Sequence, residues 1–199
     1  MRLRFLFSLF FIQIYAFSQV VAEGDAVLCE GEEGNPVVLT ATSFAVDLTD
    51  ANIYVDDTYG GVINMGFDFE FYGNTYNQVV LSSNNYLSFN TANAGGYSGW
   101  NIGAAVPNNF DAPTNAILCP WQDIYPGVNG NGTIQYATIG EAPNRVFIAS
   151  FCGIPMFSCT DICYSSQIKL FETTNIIETH IAQKVLCSTW NDGAAIHAL

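Results

Sequence analysis

The sequence predicts an all-β protein: an antiparallel β-sandwich, jelly-roll-like in outline and braced by disulfides. Three observations predict it. Met65 to Asn90 alternate apolar and polar residues with period two, break at Tyr72-Gly73-Asn74-Thr75, alternate again, and break at Ser83-Asn84-Asn85. Beyond Ser18 no window of about 11 residues holds a helical stripe. Short runs rich in Phe, Tyr, Ile, Val and Thr recur at regular spacing with turn residues between them.

Residues 1–18 read as a secretory signal peptide: Arg2 and Arg4, an apolar run from Phe5 to Phe17, then the small-x-small end Ala16-Phe17-Ser18. The run is shorter than the roughly 20 residues a membrane span needs, and Gln13 interrupts it. Residues 19–36 form a polar, acidic leader. Val37 to Thr42 is the first expected strand, and Asp47 to Gly61 is acidic and turn-rich. Strands follow at 62–72, 76–82 and 85–90; on the first, Phe67, Phe69 and Phe71 share one face and Asp68, Glu70 and Tyr72 the other. Thr91 to Pro113 is a long loop rich in Asn, Gly and Ala that carries Tyr97, Trp100 and Phe110. Ile117 to Trp121 is a short apolar strand, Asp123 to Gly132 a second Gly/Asn loop, and Thr133 to Ile139 a strand. Gly140 to Asn144 is a turn. Arg145 to Cys152 is apolar on both faces, as a central strand should be. Gln167–Glu172 and Ile176–Ala182 form a hairpin through Thr173-Thr174-Asn175, with Lys169 and Glu178 toward solvent. Ala194 to Leu199 looks like a strand beginning. One domain accounts for residues 19–199, expected to be a fragment of a longer surface protein.

Charge narrows the function classes. All 18 acids lie after Ser18, where only Arg145, Lys169 and Lys184 are basic, so removing the signal moves the formal charge from −13 to −15. Such a surface repels phosphate backbones and anionic headgroups, which argues against nucleic-acid and membrane partners. The six cysteines (Cys29, Cys119, Cys152, Cys159, Cys163 and Cys187) point to disulfides in an exported chain, with 15 connectivities open. There is no Cys-x-x-Cys and the two histidines are far apart, so zinc is disfavoured.

Several segments in order carry a resemblance: GFDFEFYGNTYNQVVLSSNNYLSFN, PTNAILCPWQDIYPG, GTIQYATIGEAPNRVFIASF, Phe157-Ser158-Cys159, QIKLFETTNIIETHI, and Cys187 before Thr189-Trp190-Asn191. Over residues 27–199 this resembles the β-sandwich near the N-terminus of gliding-motility-associated surface proteins, which type IX secretion exports. More distantly it is similar to nidogen-type extracellular domains. The resemblance implies a secreted or cell-surface location, further domains in a longer chain, and a Cys159–Cys187 bridge. Where the family reads SNGY, this chain has Ser83-Asn84-Asn85-Tyr86; asparagine tolerates positive φ, so Asn85 is expected to stand in for glycine.

No catalytic constellation is present. There is no G-x-S-x-G, and His180, between Thr179 and Ile181, reads as a sheet residue. A carboxylate pair, Asp111 and Asp123, is the candidate for a glycan-cleaving site. A calcium site would draw on Asp47, Asp50, Asp56 and Asp57, the denser acidic segment, or on Asp123, Asn129 and Asn131; neither fits the EF-hand pattern. Trp121, after an apolar strand, is expected in the core. Tyr97, Trp100, Tyr125 and Trp190 lie in or beside irregular segments and offer flat faces to sugars or proteins. The expected function is therefore a non-catalytic adhesion or recognition module that binds a glycan or protein ligand through Tyr97, Trp100, Asp123 and Tyr125. The alternatives are a carbohydrate-active enzyme and a purely structural cap.

Overall fold

The computed structural model describes residues 46–108 and 111–199. The signal peptide, the strand expected at Val37–Thr42, Cys29 and Phe110 lie outside them. Among the described residues there are ten strands, β1 (Thr49–Asp50), β2 (Ile63–Phe71), β3 (Asn74–Leu81), β4 (Tyr86–Ser88), β5 (Ala116–Trp121), β6 (Thr133–Ile139), β7 (Val146–Met156), β8 (Cys159–Phe171), β9 (Ile177–Gln183) and β10 (Ile196–Ala198). Among the described residues helical structure is limited to three-residue 3-10 turns, and no described helix is long and apolar enough to cross a membrane.

The strands form two five-stranded antiparallel sheets, ordered β1-β6-β7-β8-β9 and β10-β5-β4-β3-β2. Each is a meander closed by a strand from the other end of the chain: β1 joins the later meander and β10 the earlier one. The core lies between them. Ile63, Met65, Phe67, Phe69 and Phe71 of β2 all point inward while the residues between them are exposed, as the period-two pattern requires. They meet Phe147, Ala149, Phe151, Ile168 and Leu170 of the opposite sheet. Each such phenylalanine contributes about 1.5–3 kcal/mol through burial.

Polar bonds tie the sheets together. Thr138 Oγ1 donates to the Met65 carbonyl at 2.7 Å, Tyr164 OH to the Cys119 carbonyl at 2.6 Å, and Ser166 Oγ to Asn85 Oδ1 at 2.8 Å. Asn85 sits at φ 63°, the left-handed turn position expected of it. Its amide donates to the carbonyls of Cys119 and Pro120 on β5. Lys169 and Glu178 face each other across β8 and β9 at 3.9 Å.

Two elements differ from expectation. β1 lies inside the acidic segment read as a turn; it is two residues long and pairs only with Gln135 and Tyr136. β7 and β8 form a hairpin far longer than expected, turning at Phe157-Ser158, with Ser158 at φ 64°. Its register shifts between Phe151 and Ile154 and again before Met156, which accommodates Gly153 and Pro155 inside a strand.

Cys159 and Cys187 form the implied disulfide, with Cα atoms 5.9 Å apart. Pairing of the other cysteines is not what the described residues show: Cys119, Cys152 and Cys163 are thiols. Cys119 belongs to the core instead, and burial pushes its thiol up to about 11.

Candidate functional site

Four stretches of chain meet at one end of the sandwich: residues 54–60 before β2, the β3–β4 turn, the long β4–β5 loop, and the segment after β5. Thr58 bridges to Tyr97 and Tyr59 to Ser82. Asn84, wholly buried in the β3–β4 turn, is the hub. Its amide nitrogen donates to Asp57 Oδ1 at 2.9 Å and to the Ser98 carbonyl at 3.1 Å, and its Oδ1 accepts from the Ile124 N–H at 3.4 Å. Trp121, fully buried as expected, donates from Nε1 to the Gly99 carbonyl at 2.8 Å. A Cβ on Gly99 would lie 2.4 Å from the Asp111 carbonyl oxygen, so glycine is what lets the loop fold back on itself there.

This arrangement gathers three carboxylates. Asp56, Asp57 and Asp123 each place one oxygen within 4.8 Å of the others. Asp123 is only 6% exposed. Its Oδ2 accepts a 2.7 Å bond from Trp190 Nε1, while Oδ1 is buried with no hydrogen-bond partner. Burial raises the Asp123 carboxyl to about 7; the Trp190 bond lowers it, and the charges of Asp56 and Asp57 raise it. Asp56 is raised to about 6 by burial and by the Asp57 charge. Asp57 is raised by burial, against the stabilising amide of Asn84. Crowding and desolvation both oppose ionisation of the cluster.

Beside the acids runs a succession of partly buried rings, of which Trp190 also packs against the core. Trp100 and Trp190 have centroids 5.6 Å apart, Trp190 and Phe157 4.7 Å, and Phe157 and Tyr125 6.2 Å. The Cys159–Cys187 bridge holds the two segments that supply Phe157 and Trp190 together. Tyr97, 60% exposed, reaches Asp111 Oδ2 at 3.4 Å. Burial and the charges of Asp111 and Asp57 push its phenol up to about 12.

The expected site residues are thus partly regrouped. Asp56 and Asp57 stand with Asp123 rather than with Asp47 and Asp50. Asp47 is exposed, and Asp50 is occupied by the Asn52 N–H at 2.7 Å and by Tyr54 OH. Trp100 and Tyr125 belong to the ring row and Asp123 bonds to it through Trp190, whereas Tyr97 bonds to Asp111. Asn129 and Asn131 are exposed. His180 is an exposed sheet residue beside Glu178. The sequence reading missed Asn84 and Phe157. An Asn-Asn turn was the only signal for the first, and proximity to Cys159 the only one for the second.

A family model described as NIDO related matches residues 37–197. The chain belongs to the NIDO-related family. No curated protein and no solved structure matches it. Membership points to an extracellular module, and NIDO-related domains are in general non-enzymatic. The nidogen-like part of the sequence resemblance is thereby shown.

Proposed function

We propose that this NIDO-related domain is an adhesion or recognition module that binds a glycan on the face formed by Trp100, Trp190, Phe157 and Tyr125. The observation that carries the reading is the ring row itself. Four partly exposed aromatic rings from distant parts of the chain touch in succession, near the partly exposed carboxylates of Asp56 and Asp57, which can accept sugar hydroxyls. Tyr97 is 60% exposed and lies three residues before Trp100 on the same loop, so the two are replaced together in the test. A glycan array probed with the full chain tests this. Binding by the wild type and at least a tenfold loss in Tyr97→Ala/Trp100→Ala is the expected result; equal binding by both refutes the assignment of the face.

Cleavage by Asp111 and Asp123 is the weaker reading. Asp123 is nearly inaccessible and tied to Trp190, whereas a proton donor to a glycosidic oxygen must reach it. No glycan turnover is expected. The cellular setting proposed is that of a gliding-motility-associated surface protein exported by type IX secretion. Its support is the segment order given above, and loss of export in a type IX-deficient host is its test.

A further inference from the structure

We propose that Asp56, Asp57 and Asp123 bind a divalent cation, calcium, which fastens the loop before β2 to the segment after β5. The donor set is all oxygen, which selects a hard cation over zinc or copper. The spacing fits: two oxygens bound to one calcium at about 2.4 Å can lie at most about 4.8 Å apart, and the three carboxylate oxygens fall within 4.8 Å of one another.

A second observation points the same way. Asp123 is 6% exposed, and its Oδ1 has no hydrogen-bond donor. A buried carboxylate oxygen without a partner is costly, and more so beside two further acids. The protein's own cations do not relieve it. Among the described residues Arg145 pairs with Glu172 and Lys169 with Glu178, and none of the ion pairs includes Asp56, Asp57 or Asp123. A cation from solution would satisfy Oδ1 and neutralise the cluster together, with main-chain carbonyls and water completing the six to eight oxygens that calcium takes.

The site also has a consequence for the ring row. Asp123 accepts from Trp190, and the Trp190 ring packs at a tilt against both Trp100 and Phe157, at interplanar angles of 36° and 48°. An ion on Asp123 therefore fixes the centre of the face proposed to hold a glycan. Cation binding itself does not rest on that reading, and the test below involves no glycan.

The test is calorimetric titration of the full chain with calcium chloride after EDTA treatment, alongside thermal unfolding. One site with a Kd in the range of about 10⁻⁴–10⁻³ M is expected, as in other extracellular calcium modules. Calcium at a hundredfold excess over Kd should raise Tm by about 5–10 °C. Asp57→Asn and Asp56→Asn should each weaken binding at least tenfold, while Asp68→Asn, on the exposed face of β2, should not. Circular dichroism establishes that each variant is folded. Absence of heat and of a Tm shift at 10 mM calcium (a concentration of about tenfold or more over that Kd) overturns the proposal. So does undiminished binding by the folded Asp56→Asn and Asp57→Asn proteins, or an equal response to magnesium.

Discussion

Replacing Asn84 by alanine removes the hub that holds four segments at the site end of the sandwich. The side chain is wholly buried and makes bonds of 2.9 Å to Asp57 and 3.1 Å to the Ser98 carbonyl. Each contributes about 1 kcal/mol net. Its Oδ1 is also the acceptor for the buried Ile124 N–H, and stranding that donor costs a further 1–3 kcal/mol or so. The expected loss for Asn84→Ala is about 3 kcal/mol, or about 6–12 °C in Tm for a domain of this size. Urea unfolding followed by tryptophan fluorescence measures it. Asn77→Ala, the same chemical change on the exposed face of β3, is the comparison and should stay within about 0.5 kcal/mol. A loss below about 1 kcal/mol for Asn84→Ala would refute the reasoning, because the loops would then be held by something other than this side chain.

Two further outcomes follow from the same structure. Cys159→Ala/Cys187→Ala opens a link across 28 residues; chain entropy sets its contribution at about 3.5 kcal/mol, so the urea midpoint should fall accordingly, and an unchanged midpoint would contradict the role given to the bridge. Arg145 donates to both oxygens of Glu172, at 2.8 and 2.6 Å, and holds that carboxyl well down, to about 2. A folded-state pKa below the unfolded one contributes stability above the ordinary glutamate range and loses it as pH falls. Wild-type Tm should therefore drop between about pH 5 and about pH 2 more steeply than that of Glu172→Gln; parallel curves would contradict it.

The fold was legible where one face of a strand is buried and the turn chemistry is explicit. Ile63 to Phe71 alternates cleanly and turns at Gly73, which has φ 74°, so local sequence and tertiary structure agree there. β1 was not legible because two residues of an edge strand, Thr49 and Asp50, bury too little to leave a pattern. The first half of β8, Cys159 to Ser166, is polar and mostly half-buried, and its pairing with β7 is interrupted by register shifts; a period-two reading has nothing to detect in it. The site was half legible for a related reason. Acid density along the chain singled out Asp47 to Asp57, but a site is assembled by contacts between distant segments. Asp123 joins Asp56 and Asp57 across more than 60 residues of sequence through the Asn84 turn. Trp190 and Phe157 come together for a cause the sequence did contain, since each lies within three residues of a half of the disulfide.

The claim that most needs measuring is that the ring row is where ligand binds. The chain has three tryptophans, and their indole N–H resonances report separately in an NMR titration. Trp100 and Trp190 lie in the row and Trp121 in the core. On addition of a glycan that the array identifies, the account predicts shifts at the Trp100 and Trp190 indoles with Trp121 unmoved. Shifts confined to Trp121, or to backbone signals on the outer faces of the sheets, would contradict it.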